Sequence, residues 1–295
     1  MSNTAAVLGP GAVGGALAVR LANTGVQVVC VAHPEAAGLI ALAGLVVESP
    51  EGTLAARVEV VEHLAKPVDL LLVTVKAPAL DDALGRIEAR VETVVPLLNG
   101  IEHMDTIRRR VPDTRVVGAT IGWIEAWLDR PGVIVQNTPR TLMTVAFDAG
   151  AETVELLRRS GADVRENGSE AAVLWEKLAR QAPVAAATAL TQRPIGELRS
   201  DSAWRRRLEE AVAETCAVAR ADGVDLTPEA QWEIIDRMPP ALTSSTARDI
   251  AAGRPSELDA ITGAAVRAAH RLGINAPVLE GLLDEAEAAC RARSH

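Results

Sequence analysis

The chain has 295 residues, 48% of them hydrophobic, with one Phe, no Tyr and a formal net charge of -9. That length suits two domains of ordinary size, while the acidity and the scarcity of aromatic rings exclude a nucleic-acid-binding surface. Cys30, Cys216 and Cys290 are an odd, widely spaced set and no histidine pairs at ligand spacing, so no metal site is expected.

The first strand is read over residues 5–8, Ala-Ala-Val-Leu, and is followed at once by Gly9-Pro10-Gly11-Ala12-Val13-Gly14. This is G-x-G-x-x-G at a strand-to-helix junction. The first glycine allows a tight turn and the second lets backbone approach a pyrophosphate. The third lets the helix pack closely on its strand, and the helix N-terminus offers amide hydrogens to the phosphates. A helix over 16–23 closed by Gly25, then a strand over 26–31, complete a βαβ unit and favour a nucleotide site over a ligand-free glycine turn. Cys30 falls inside that second strand and reads as a small apolar core residue.

Residues 1–15 lack the basic region of a signal peptide, and no apolar run approaches membrane-spanning length. The chain is therefore expected to be cytoplasmic. Residues 70–75 read as a buried parallel strand ending at Lys76, and 77–87 as a helix. A strand over 93–98 ends at Asn99, a helix covers 104–110, and 115–119 is strand-like. Residues 133–135 and 142–147 are expected to extend the same sheet. Strands alternating with helices imply a parallel, doubly wound arrangement.

The pattern changes at Asn167-Gly168-Ser169, where Ser169 can cap a helix with Glu170 in its first turn. From there only helices are read: 169–191, 202–222, 228–236, 244–252, 256–272 and 277–293, with a kink at Pro183. The fold class is α/β, an N-terminal Rossmann domain (1–167) followed by an all-helical domain (168–295).

Ligands in open α/β sheets lie beyond the C-terminal strand ends, where Lys76 and Asn99 fall. Their other readings are a solvated strand end and an Asn-Gly turn. Lys177 lies beside the apolar pair Leu174 and Leu178. It reads either as a snorkelling stem or as a partly desolvated lysine suited to deliver a proton near neutrality. Ser256 is read as a helix N-cap with Asp259 as its capping-box partner, leaving Glu257 a first-turn carboxylate unless it faces a ligand. The stretch Thr243-Ser244-Ser245-Thr246 carries helix caps or substrate-binding hydroxyls.

These pieces, in this order, resemble the ketopantoate reductase (2-dehydropantoate 2-reductase) family over nearly the whole chain. The resemblance rests on the Gly9 to Gly14 loop, Leu71-Leu72-Val73-Thr74-Val75-Lys76, Leu98-Asn99-Gly100 and Leu174-Trp175-Glu176-Lys177-Leu178. It continues through Gly196-Glu197-Leu198-Arg199, Ser244-Ser245, Gly253 to Asp259 and Gly273-Ile274-Asn275-Ala276-Pro277. It implies an NADPH-dependent reductase acting in pantothenate biosynthesis, with Lys177 as proton donor to the ketone oxygen. By the same resemblance Asn99 lies at cofactor and substrate, Lys76 belongs to the same cleft, Ser245 contacts substrate, and Glu257 binds cofactor or the substrate hydroxyl.

The departures fall on substrate recognition. Family asparagines are replaced by Gln181, Ala185, Ile195 and Leu242. Losing such partners costs about 1–3 kcal/mol for each substrate group left unpaired, which points to a substrate more apolar than ketopantoate or differently placed. After the second strand, His33 replaces the basic residue that pairs with the 2′-phosphate. No acid ends that strand to take a ribose hydroxyl, which favours NADPH with NADH as the alternative. The expected partners are a small-molecule 2-oxo acid or ketone and a second copy of the chain in a homodimer, with no nucleic acid and no membrane. Competing readings are an opine- or imine-forming dehydrogenase and a nucleotide-binding sensor without catalysis.

Overall fold

A computed structural model describes residues 4–122, 124–139 and 141–293. They divide into two compact units. One comprises the chain up to Leu98 together with His103–Val173, and the other comprises Asn99–Glu102 and the chain from Leu174 onward.

The first unit opens with β1 (Thr4–Leu8), α1 (Ala12–Asn23) and β2 (Gln27–Val31), the βαβ unit expected from the glycine motif. It continues through α2 (Pro34–Ala43), β3 (Leu45–Ser49), β4 (Gly52–Ala56), β5 (Glu59–Val61) and β6 (Val68–Val73). A 3-10 turn over Ala77–Ala79 leads into α3 (Leu80–Leu84), then β7 (Val91–Pro96), α4 (His103–Arg110) and β8 (Arg115–Val116). The remaining elements are β9 (Ala119–Gly122), β10 (Ala126–Arg130), β11 (Val133–Gln136), β12 (Thr141–Val145), α5 (Ala151–Arg159) and β13 (Ala162–Glu166).

Six strands form a parallel sheet in the order β5-β2-β1-β6-β7-β8. In register, Val7 of β1 lies between Cys30 of β2 and Leu72 of β6. Ala5, Ala6, Val7, Leu71, Leu72 and Val73 have no exposure at all, as a sheet covered on both faces requires. Cys30 is likewise enclosed, and burial pushes its thiol up to about 12, so it is an inert core residue.

Two expectations fail here. The strands near residues 133 and 142 do not extend the parallel sheet. They belong to a four-stranded sheet, β10-β11-β3-β4, and a three-stranded one, β13-β12-β9, each mixing parallel and antiparallel pairs. Burial alternates along β11 and β12, so each has one covered face, whereas the central strands are covered on both. The large sheet stops at β8, which pairs over only two residues; the Arg115 guanidinium there binds Thr93 Oγ1 (3.0 Å) and Thr153 Oγ1 (2.9 Å). The helix expected over 77–87 is also shorter, a 3-10 turn carrying Pro78 and then five residues of α3 before Gly85.

From Leu174 on, the described residues form only helices, turns and loops. They are α6 (Glu170–Thr191), which starts in the first unit, α7 (Ile195–Ser200), α8 (Ser202–Ala221), α9 (Pro228–Arg237) and α10 (Ser245–Ala251). A π turn over Asp259–Gly263 then runs into α11 (Ala264–Leu272), and α12 (Pro277–Arg293) follows. One core gathers Ile195, Leu198, Leu208, Val212, Cys216 and Ile235; a second gathers Ala186, Ala211, Leu258, Leu282 and Ala286. No described helix is long and apolar enough to cross a membrane.

The capping box expected at Ser256 is absent. Helical backbone starts only after Glu257, which leaves Ser256 outside the N-cap position, and the Asp259 carboxylate is bound by the Arg267 guanidinium (2.6 Å). The short helix α7 was not expected from the sequence.

Candidate active site

The glycine loop is built as its spacing requires. Gly9 has φ +86°, and a Cβ there would stand 2.4 Å from Val75 Cγ1. A Cβ on Gly14 would stand 2.2 Å from Thr74 Oγ1 and 2.5 Å from the Gly9 carbonyl oxygen, so only glycine lets α1 lie this close to β1. The Thr74 hydroxyl donates to that same oxygen (2.8 Å) and locks the turn. Gly11, the N-cap of α1, is different: a Cβ there would meet nothing closer than the Gly9 oxygen at 4.0 Å. Having no side chain, Gly11 also leaves the first-turn amides of Ala12 and Val13 uncapped. An uncapped helix N-terminus beside open space fits the pyrophosphate of a dinucleotide. Pro10 is buried within the loop. His33 is exposed directly after β2, at the N-cap of α2, and Lys76 is exposed at the N-cap of the 3-10 turn after β6.

In the second unit, four of the expected site residues come together. Lys177 and Gln181 stand one turn apart on α6 and share a face. Lys177 Nζ donates to Asn99 Oδ1 at 2.7 Å, and Gln181 Nε2 donates to the same oxygen at 3.0 Å. Asn99 Nδ2 in turn donates to Glu257 Oε2 at 3.0 Å. Two donors on the oxygen and a carboxylate on the nitrogen leave the Asn99 amide one orientation. Glu257 is 8% exposed, and the buried Gln181 Oε1 has no hydrogen-bond partner.

The Asn99–Glu102 segment is held in place by its own geometry. Gly100 has φ +83°, and a Cβ there would lie 2.0 Å from the Ala260 carbonyl oxygen on the π turn. Arg267 of α11 clamps Glu102 through two bonds of 2.8 Å while also binding Asp259. Gly100 is therefore required by a close backbone approach as well as by a turn.

Burial is the main cause that lowers the Lys177 ammonium from its ordinary value to about 8; the Arg180 cation adds to this and Glu257 opposes it. At neutral pH the group is protonated yet poised to lose its proton, as a general acid must be. Arg180 is a residue the sequence reading missed. Its guanidinium donates to the Glu176 carbonyl and to Gln231 Oε1 (3.2 Å) on α9. Its spacing was the available signal, three residues after Lys177 on the same expected helix.

The other expected residues have different surroundings. Ala185, one further turn along α6, is 1% exposed. Ile195 is fully enclosed in the helical core, its backbone N–H bonded to the Leu242 carbonyl (2.9 Å), and Leu242 packs on that core. Ser245 is exposed at the first residue of α10. The cap is Ser244, which accepts from Ala247 N (3.0 Å) and shares a 2.7 Å hydrogen bond with Thr188 of α6.

Comparison with known proteins agrees with this organisation. Residues 5–149 match the family model described as ketopantoate reductase PanE/ApbA, and residues 169–289 match that of the ketopantoate reductase PanE/ApbA C terminal. The chain is similar to the 2-dehydropantoate 2-reductase of Caulobacter vibrioides, 33% identical over 282 residues that cover 92% of this chain and 94% of that protein. Among solved structures, a PanE/ApbA family ketopantoate reductase from Ralstonia eutropha JMP134 superposes with TM-score 0.87 at 27% identity, covering 99% of this chain and 100% of that one. D-mandelate dehydrogenase, solved with NADH and anilino(oxo)acetate, shares the fold at TM-score 0.87 and 22% identity, covering 99% of this chain and 100% of that one.

Proposed function

The chain belongs to the ketopantoate reductase family, and we propose that it is an NADPH-dependent reductase of the C2 ketone of a 2-oxo acid, either ketopantoate or a more apolar relative. It is an oxidoreductase that acts on a ketone. The observation that carries the reading is the Lys177 ammonium bonded to Asn99 Oδ1 at 2.7 Å, with its proton held at a pKa of about 8.

The Gly9 to Gly14 loop would hold a nicotinamide cofactor, which would supply the hydride. As negative charge builds on the C2 oxygen, the Lys177 ammonium neutralises it and delivers a proton. Asn99 fixes the direction of that ammonium, and Gln181 and Glu257 fix Asn99 from its two ends. Pro10, Ala12 and Val13 shape the phosphate turn with the three glycines. His33, exposed where β2 ends, supports NADPH, since a protonated imidazole pairs with a 2′-phosphate. Lys76 adds a cation at the neighbouring strand end, Ser245 contacts the substrate, and Glu257 is placed to bind the cofactor or the substrate hydroxyl. Ala185 and Leu242 support the more apolar substrate by withholding amide groups from it, whereas Ile195 is enclosed in the helical core and serves its packing.

Turnover of ketopantoate against bulkier aliphatic and aromatic 2-oxo acids and ketones, with NADPH and with NADH, tests the assignment. A clear preference for ketopantoate overturns the apolar substrate, and a clear preference for NADH overturns the cofactor. Lys177→Ala should lose at least about 100-fold in kcat while still binding nucleotide. A wild-type protein that binds nucleotide yet reduces nothing in the panel would make the chain a sensor.

A further inference from the structure

We infer that Arg180 is an electrostatic positioning residue for Lys177, an immobilised second cation that weakens the hold of the ammonium on its proton. The inference rests on the reading of Lys177 as proton donor. Arg180 follows Lys177 by three residues on α6, which places the two side chains on adjacent turns of one helix. Like charges so disposed repel along the helix, and a guanidinium stays charged at every working pH.

Arg180 is not free to swing into solvent. It is half-buried, and its guanidinium is tied to the Glu176 carbonyl and to Gln231 Oε1 at 3.2 Å. Gln231 is 3% exposed on α9, so this anchor belongs to the helical core. Both acceptors are neutral, so neither cancels the charge. Burial lowers Arg180 from its ordinary value, and the Glu176 carboxylate acts in the opposite sense.

Among the groups that bear on Lys177 are Arg180 from its own helix and Glu257 from the loop before the π turn, acting beside the burial of the ammonium. The Asn99–Glu102 segment presents the neutral Asn99 amide, while Glu102 is taken up by Arg267. Arg180 and Glu257 therefore act on one ammonium with opposite signs. Burial does most to loosen the proton of Lys177, and the repulsive Arg180 offsets the attraction of Glu257 that would otherwise work against it.

With only three lysines in the chain, the Lys177 titration can be read directly by NMR of the full-length protein labelled at lysine carbon and nitrogen, with Lys66→Arg and Lys177→Arg identifying the signals. Arg180→Met should raise the Lys177 midpoint by about 0.5–1 pH unit, and the basic limb of kcat/KM for ketone reduction should move up with it. Arg180→Gln keeps a donor for the Glu176 carbonyl and gives the same reading should the Met variant fail to fold. Arg180→Lys should restore the wild-type midpoint, and Glu257→Gln should move it downward. An unchanged Lys177 midpoint in folded Arg180→Met and Arg180→Gln overturns the inference. A midpoint that moves while the kinetic limb stays supports the coupling and overturns the proton-donor reading instead.

Discussion

Lys177 is a half-buried cation whose hydrogen bond points it at one amide oxygen. Its value of about 8 lies below the ordinary 10.5, so the working, protonated form prevails at neutral pH and is lost as the pH rises through 8. Ketone reduction, followed as kcat/KM from pH 6 to 10, should be level below that point and fall above it. A profile that stays flat to pH 10 would remove Lys177 from the proton-transfer step. The same shift has a consequence for stability. Between pH 8 and 10.5 the unfolded chain holds more protons on this lysine than the folded one, so stability contributed by this group rises with pH. Urea melts should show wild type gaining on Lys177→Met across that interval, with the full cost of burying the charge present below pH 8.

At the scale of the element, α6 carries both Lys177 and Gln181 on a helix interrupted by Pro183. Proline cannot donate to the carbonyl four residues back, which is that of Ala179. The structure supplies the missing donor from a neighbour: Thr215 Oγ1 of α8 bonds the Ala179 oxygen at 2.6 Å in a fully buried setting. Thr262 Oγ1 of the π turn donates to the Ala182 oxygen at 2.9 Å and ties that turn to the same helix. Thr215→Val should therefore cost about 1–3 kcal/mol by leaving a buried acceptor unpaired. In a Pro183→Ala background the helix can satisfy that oxygen itself, so the cost should shrink. Equal costs in the two backgrounds, measured by denaturant melts, would show that the threonine does not repair the helix.

The glycine turn invites a second contrast of this kind. Gly14→Ala forces a Cβ against Thr74 and the Gly9 backbone, whereas Gly11→Ala meets nothing within contact distance at an ordinary φ of -75°. The first should destabilise the protein by about 1–3 kcal/mol. The second should leave thermal stability nearly intact and weaken nucleotide binding. Undiminished binding by Gly11→Ala would mean that the pyrophosphate does not approach that backbone.

For the whole molecule, binding and stability are linked. NADPH at about 100 times its Kd should stabilise the folded chain by about 2.7 kcal/mol. Lys177→Ala should keep that gain in thermal melts, and Gly14→Ala should lose it; the reverse pattern would separate the glycine loop from the nucleotide. The opening βαβ unit and the strands β6 and β7 were legible because they are continuous apolar runs set off by glycines, whereas α2, β3, β10, α5 and β13 were not read from the sequence. β4 and β5 carried no such signal: the first is exposed along nearly its whole length and the second has three residues, so neither offers a hydrophobic period to read. β11 and β12 were recognised as strands but assigned to the wrong sheet, because a strand's neighbours are chosen by long-range pairing that local pattern does not encode.

What the amino-acid order determined by itself was local: where backbone must turn through glycine, and which runs are apolar enough to be buried on both faces. Even for the site, Lys177, Asn99 and Glu257 each had a bland reading taken singly, and only their shared resemblance to a family singled them out. Tertiary structure alone decided that one asparagine oxygen, 78 residues from Lys177 and on an amide bonded to a carboxylate 158 residues away, would orient the ammonium. It also decided that Arg180 would be held beside that ammonium by a buried glutamine from another helix. Hydrogen bonds and like-charge repulsion depend on distance in space, and separation along the chain does not fix that distance until the helices have packed.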